Sequence, residues 1–346
     1  MRKLEESSSM KLDIQSFDLR LTTPFRISRH VQYTAANVLA CITHEGITGV
    51  GEAAPSEHYG EYRGTVLAAL RFLAGELGDD PFAIEDILSH LERLLRLNPS
   101  ARAAVDMALY DLVGKLLNVP VYKLLGLNAA KTPLTSFTIG IDTPENMARK
   151  ALAASNYPIL KIKVGTPNDV ANLKAIREVS NAVIRVDANT AWTPKEAVRA
   201  IHQLAEFTIE FVEQPVAPSD LAGLKFVREH VPLPIIADES CITVEDIPRV
   251  AECVDGINIK LMKCGGLNHA LKMIHVARAY NLSVMIGCMI ESSLSITAAA
   301  HLTPLVDYAD LDGHLLVDDD PYTGVKVEQG KLILPEGPGL GVVARA

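Results

Sequence analysis

The chain of 346 residues has only five cysteines, Cys41, Cys241, Cys253, Cys264 and Cys288, with no C-x-x-C spacing among them. An odd, scattered set fits reduced thiols better than disulfides or a zinc site. Basic residues are a minority: 33 lysines and arginines against 42 aspartates and glutamates leave a net charge of -9. With no Lys/Arg run or basic stripe, a nucleic-acid role has little support. The opening MRKLEESSSMKLD lacks the apolar stretch of a signal peptide, and no uncharged apolar run is long enough to span a bilayer. These absences lead to the expectation of a cytoplasmic protein.

Apolar residues make up 48% of the chain, enough to bury a large core, and the length suggests one big domain with a smaller one. FRISRHVQYTAANVLACITHEGITGVGEAAP carries two β-rich runs around Glu45-Gly46, and GTVLAALRFLAGEL then has helical spacing. NPSARAAVDMALYDLVGKLLNVPVYKLLG predicts a strong helix with Ser100 as its N-cap and Gly126 closing the segment. Residues 1–130 therefore read as an α+β cap, with 318–346 returning to pack on it. Asp318 to Asp320 read as a solvated turn.

From about residue 135 the pattern changes to short apolar strands alternating with helical stretches. Eight strands are expected, at 136–141, 159–164, 183–189, 210–216, 234–240, 256–262, 283–290 and 308–313. Lys163 to Asp187 is 24 residues, Asp187 to Glu213 is 26, Glu213 to Asp238 is 25 and Asp238 to Lys260 is 22. A period that regular belongs to repeated βα units, so residues 131–317 are expected to form an α/β, TIM-like (β/α)7β barrel, with its chemistry at the C-terminal strand ends.

In ILKIKVG, Lys161 and Lys163 alternate along the second strand and so share a face. Lys260 ends the sixth strand, half a turn round the ring. Strands three, four and five between them end in Asp187, Glu213 and Asp238. Three converging acids repel unless a cation lies among them, and an oxygen-only set suits Mg²⁺ better than zinc. The eighth strand ends in DLD, with Asp310 and Asp312 on one face. A substrate carboxylate on the metal, a cationic group on the strand-eight acids and a lysine on each side of the carbon between them would suit proton abstraction next to a carboxylate. Lys263 reads as structural, and Asn189 and Glu239 as orienting or rim groups.

At these residues the chain strongly resembles the enolase superfamily in its muconate-lactonizing subgroup. The resemblance spans GEAAP, ARAAVDMALYDLVGKLLNVPVYKLLG, KIKVG, RVDAN, VEQPV, ADES, NIKLMKCGG, AAAH and PGLGV. It implies Asp187, Glu213 and Asp238 as ligands of one Mg²⁺ per subunit, Lys163 and Lys260 as the acid/base pair, and Lys161 as an assisting lysine that also contacts substrate. DLDG resembles the acidic pair with which dipeptide epimerases of the L-Ala-D/L-Glu type hold the substrate ammonium. Thr138, Cys288 and Ile290 fall where that family lines its pocket. The implied function is epimerisation of a dipeptide at the α-carbon of its C-terminal residue through an enediolate. Muconate cycloisomerase and o-succinylbenzoate synthase use the same chemistry and are the alternative. A homo-oligomer is also implied, and neither a membrane nor a nucleic-acid partner is. Members acting on L-Ala-L/D-Glu carry an arginine in the loop after the first strand; this chain has His30 there, with Arg29 beside it. Side-chain preference is expected to lie in the loops 26–34 and 55–64, with Arg29, His30, Glu57, His58, Tyr59 and Glu61 as candidates.

Overall fold

Glu45 and Gly46 both take positive φ, 48° and 77°, the backbone that a tight, right-twisted hairpin turn needs. They join β2 (Val31–His44) to β3 (Ile47–Ala53), and β1 (Lys11–Arg26) pairs antiparallel with the other edge of β2. This computed structural model describes residues 9–345; the first eight residues, part of the stretch read as lacking a signal sequence, and Ala346 lie outside the described residues. Most of β1 precedes the first strand expected from the sequence. Its many exposed polar positions hide a pattern in which Leu12, Leu19 and Leu21 are the buried ones.

Helices α1 (Arg63–Leu73), α2 (Ile84–Leu94) and α3 (Pro99–Leu116) supply the apolar side of this unit. Contact between β3 and α3 is so close that a Cβ on Gly51 would lie 2.0 Å from the carbonyl oxygen of Ala104. Ser100 does not cap α3: the helix begins at Pro99, a residue suited to the first helical position, and Asn98 holds the cap position. Ser100 instead donates its N–H (3.1 Å) and hydroxyl (2.8 Å) to Glu61 Oε1. The orphan donors at this helix end are thus met from another loop.

After α4 (Val121–Leu124) come eight parallel strands in ring order: β4 (Phe137–Ile139), β5 (Ile159–Lys163), β6 (Val183–Asp187), β7 (Ile209–Glu213), β8 (Ile235–Ala237), β9 (Gly256–Lys260), β10 (Ser283–Gly287) and β11 (Tyr308–Asp310). A bridge between Thr135 and Ala309 closes the barrel. Outside lie α5 (Pro144–Ala153), α6 (Asp169–Val179), α7 (Pro194–Leu204), α8 (Leu221–His230), α9 (Ile247–Val250), α10 (Leu261–Cys264), α11 (Leu267–Ala279) and α12 (Ser293–Ala300). β5 explains how a buried strand carries lysines. Leu160 and Ile162 join the apolar cluster that includes Leu173 and Ile176 of α6, which leaves Lys161 and Lys163 to the barrel interior. Among the described residues no helix is long and apolar enough to cross a membrane.

The C-terminal stretch touches both parts of the molecule. Asp318 N–H donates to Arg20 C=O and Leu340 N–H to Asp111 Oδ1, whereas Val325 N–H donates to Thr297 Oγ1 of α12. Asp320 is not solvated: its Oδ2 accepts from Ser293 N–H (2.9 Å) and Oγ (2.6 Å), at the N-terminal end of α12 where a carboxylate is favoured.

His301, following α12, has both ring nitrogens engaged. Nδ1 accepts from Tyr122 N–H (3.2 Å) and Nε2 donates to Leu340 C=O (3.1 Å), an arrangement that only the neutral ring satisfies. Burial lowers its pKa to about 4. The unfolded imidazole titrates near 6.5, so between these values the unfolded chain binds more protons and stability rises with pH. The contribution is fully present above about pH 6.5 and is lost as pH falls toward 4; a gap of roughly 2.5 units corresponds to about 3 kcal/mol. Urea unfolding at pH 7 and pH 5 should show a smaller acid loss for His301→Ala than for the parent protein.

Candidate active site

Parallel pairing puts Lys163 opposite Asp187 and Asp187 opposite Glu213, and sets Lys260 and Asp310 on either side of Gly287. The functional candidates therefore lie at one level of the barrel, around its C-terminal mouth. Above them is a cavity of about 870 Å³. Thr138, Lys161, Lys163, Asp238 and Lys260 line its floor, with Cys288, Ile290, Asp310 and Asp312 along one wall. Asp187 and Glu213 are fully buried beneath it.

Each lysine has a carboxylate partner. Lys163 Nζ is 2.7 Å from Asp187 Oδ2, and Lys260 Nζ is 2.7 Å from Asp238 Oδ2. Lys161 bridges the barrel, with Nζ 2.6 Å from Asp310 Oδ2, 2.7 Å from Glu213 Oε2 and 3.1 Å from Asp187 Oδ2. Burial alone would raise the Asp187 carboxyl, but the ammoniums of Lys163 and Lys161 outweigh it and hold Asp187 below the usual carboxylate range. The same contest leaves Asp238 well below that range through Lys260 and Lys263. Glu213 goes the other way, pushed up to about 8 by burial and then by Asp187. Burial pulls Lys260 down, yet Asp238 more than offsets this and leaves it raised.

A layer of fixed groups holds these side chains. Lys263, expected to be structural, is wholly buried, and its Nζ contacts Asp238 Oδ1 (2.6 Å), Asp238 C=O (2.7 Å) and Cys241 C=O (3.1 Å). Asn189 N–H donates to Asp187 Oδ1 (2.9 Å), and Asn258 Nδ2 to Glu213 Oε1 (2.7 Å). Gln214 Oε1 accepts from Asp238 N–H (2.9 Å). The sequence reading missed Asn258 and Gln214. Asn258 had a usable signal, because it precedes Lys260 by two residues on a strand and so shares its inward face.

On the strand-eight side, Asp310 Oδ1 accepts from Ser136 Oγ at 2.6 Å and Asp312 Oδ2 from Thr138 N–H at 2.5 Å. Burial, then Asp310, pushes Asp312 up to about 7. In the cap, Arg29 Nη2 is 2.9 Å from Glu239 Oε1 and Nη1 is 3.3 Å from His58 Nε2, so this arginine is already paired with a buried carboxylate. Burial, then Arg29, lowers both His30 and His58. Glu61 borders the cavity, but its Oε1 is committed to Ser100.

Among the described residues, no group of three carboxylate, imidazole or thiol side chains stands at metal-holding spacing as the chain is arranged. Lys161 provides the positive charge between the acids. The donor set nevertheless fits a hard divalent ion: three buried carboxylates, without sulfur or imidazole, on adjacent strand ends. Glu213 Oε2 supports the fit, since it is buried and its contact with Lys161 lacks hydrogen-bond geometry.

Residues 11–126 match the family described as mandelate racemase / muconate lactonizing enzyme, N-terminal domain, and residues 145–346 match the enolase C-terminal domain-like family. The chain belongs to this mandelate racemase / muconate lactonizing enzyme family of the enolase superfamily. It is 43% identical over 336 residues to the L-Ala-D/L-Glu epimerase of Bacteroides thetaiotaomicron, covering 96% of this chain and 88% of that protein. The hydrophobic dipeptide epimerase of Enterococcus faecalis is 40% identical over 349 residues, covering 96% and 98%. Among solved structures, the Enterococcus faecalis V583 dipeptide epimerase complexed with Mg and L-Leu-L-Tyr superposes with a TM-score of 0.92 at 39% identity, covering 96% of this chain and 99% of that one.

Proposed function

We propose that this chain is an isomerase, a Mg²⁺-dependent dipeptide epimerase that inverts the α-carbon of the C-terminal residue. The observation that carries the reading is the placement of Lys163 and Lys260, each against a different member of one carboxylate trio. Relatives acting on dipeptides along nearly the whole chain support it. Asp187, Glu213 and Asp238 would hold the ion. When bound, Mg²⁺ supplies a Lewis acid that offsets charge growing on the substrate carboxylate as the α-proton leaves.

The chain's own residues do the rest. Were Asp238 shared with a cation, Lys260 would keep its burial and lose counter-charge, which favours the neutral amine that a base requires. One amine takes the α-proton, the other ammonium returns a proton to the opposite face of the enediolate, and the centre is inverted. Lys161, released from Glu213, can contact the substrate carboxylate. Asp310 and Asp312 hold the dipeptide ammonium.

Proton NMR in D₂O over a set of L,L dipeptides with acidic, apolar and basic side chains tests this reading. With Mg²⁺ the α-proton of the C-terminal residue should exchange and the L,D epimer accumulate, and both should stop with EDTA. Hydrogen bonds to charged groups are worth about 1.5–3 kcal/mol, so Asp310→Asn and Asp312→Asn should each lower kcat/KM by about 10- to 150-fold. Silence across the set, with turnover of an ammonium-free muconate or o-succinylbenzoate precursor unaffected by those substitutions, would overturn the epimerase reading.

A further inference from the structure

A buried carboxylate outside the proposed catalytic set joins the cap to the barrel. Glu52, near the end of β3, is wholly buried, and each of its oxygens receives two uncharged donors. Oε1 accepts from Asn37 Nδ2 (2.7 Å) and Ser292 N–H (3.0 Å). Oε2 accepts from the Ser292 hydroxyl and from Ser295 N–H (3.4 Å). Asn37, on neighbouring β2, uses its second amide hydrogen on Ile290 C=O (3.1 Å). Acid and amide together thus grip the connection from β10 to α12 at residues 290 and 292 and the first turn of α12 at residue 295.

That connection is a wall of the cavity. Cys288, Met289 and Ile290 line it from the barrel side, and Asn37, Ala54 and Pro55 from the cap. The segment is confined from other directions too. Glu291 Oε1 accepts Met289 N–H at 2.7 Å, and a Cβ on Gly313, next to Asp312, would lie 2.4 Å from Met289 C=O. With no room behind it, the position of this wall depends on what Glu52 and Asn37 hold.

We propose that Glu52 and Asn37 act as a positioning pair for dipeptide binding, fixing the Cys288–Ile290 wall against the cap, with Glu52 lying behind the cavity lining. The inference rests on the dipeptide reading above. All four donors to Glu52 favour an acceptor, whereas burial and Glu291 push its carboxyl up to about 7. A carboxamide keeps the shape and one acceptor oxygen but turns an amide donor toward the other two donors, so it is an intermediate change and truncation the severe one.

The test compares Glu52→Ala, Asn37→Ala and Glu52→Gln with the parent, measuring KM and kcat on the best dipeptide of the Mg²⁺ exchange assay, with thermal melting in parallel. Both alanine variants should raise KM about tenfold with kcat within about twofold, and Glu52→Gln should recover part of the loss. If Glu52→Ala does not fold, Asn37→Ala and Glu52→Gln still carry the comparison. His301→Ala, which loosens the far end of α12, should lower the melting temperature and leave KM unchanged. Parental KM in Asn37→Ala, no recovery in a folded Glu52→Gln, or a KM rise in His301→Ala as large as that in Asn37→Ala, would overturn the positioning role alone. A parent protein inactive on every dipeptide would overturn the epimerase reading and this inference with it.

Discussion

Lys163→Ala and Lys260→Ala are each expected to abolish inversion, lowering it about 10²- to 10⁴-fold, while each still exchanges the α-proton of one epimer with solvent. The asymmetry follows from placement. Lys163 leaves β5 beside Asp187, and Lys260 leaves β9 beside Asp238, on opposite arcs of the ring. An amine on one side can remove and return a proton on its own face only. Lys163→Ala should therefore exchange one epimer and Lys260→Ala the other, read by NMR from purified L,L and L,D substrates in D₂O. Exchange of both epimers by either variant would mean that a single base serves both faces.

Glu213→Gln should cost at least about 10³-fold in turnover, the scale of several kcal/mol that a Lewis acid supplies. This carboxylate is the informative one to change because it pairs with neither Lys163 nor Lys260. Its contacts are Asn258 Nδ2 on one oxygen and Lys161 on the other. Loss of activity with both base lysines still paired would therefore report on the cation. Calorimetric titration should show weakened Mg²⁺ binding in the variant. Parental turnover in Glu213→Gln, or activity that persists in EDTA, would contradict the role.

Much of this was legible in the sequence, for a physical reason. The barrel repeats one unit, so a period of 22 to 26 residues between chemical side chains announces both the fold and the strand ends. Alternation along a strand then puts Lys161 and Lys163 inward without reference to any structure. The cap offers no such repeat. Most of β1 was missed because its exposed face is polar along its length, and Ser100 was misread because its acceptor, Glu61, comes from a loop with no local signature. Asp320 was read as solvated although it closes the end of a helix distant in sequence. Contacts of this kind, including Arg29 with Glu239 and Asn37 with Ile290, join loops whose spacing in the chain carries no period. Arg29, Glu239, Asn37 and Ile290 all line the cavity above the strand ends.

The central claim is that three strand-end carboxylates share a cation between two amines that address opposite faces of one carbon. A crystal structure with Mn²⁺ in place of Mg²⁺ and a dipeptide bound tests it most directly. The account predicts an anomalous peak among Asp187, Glu213 and Asp238, Lys161 drawn off Glu213, and the Nζ atoms of residues 163 and 260 on opposite faces of the α-carbon. A peak elsewhere with Lys161 still lodged between Glu213 and Asp310, or both amines on one face, would contradict it.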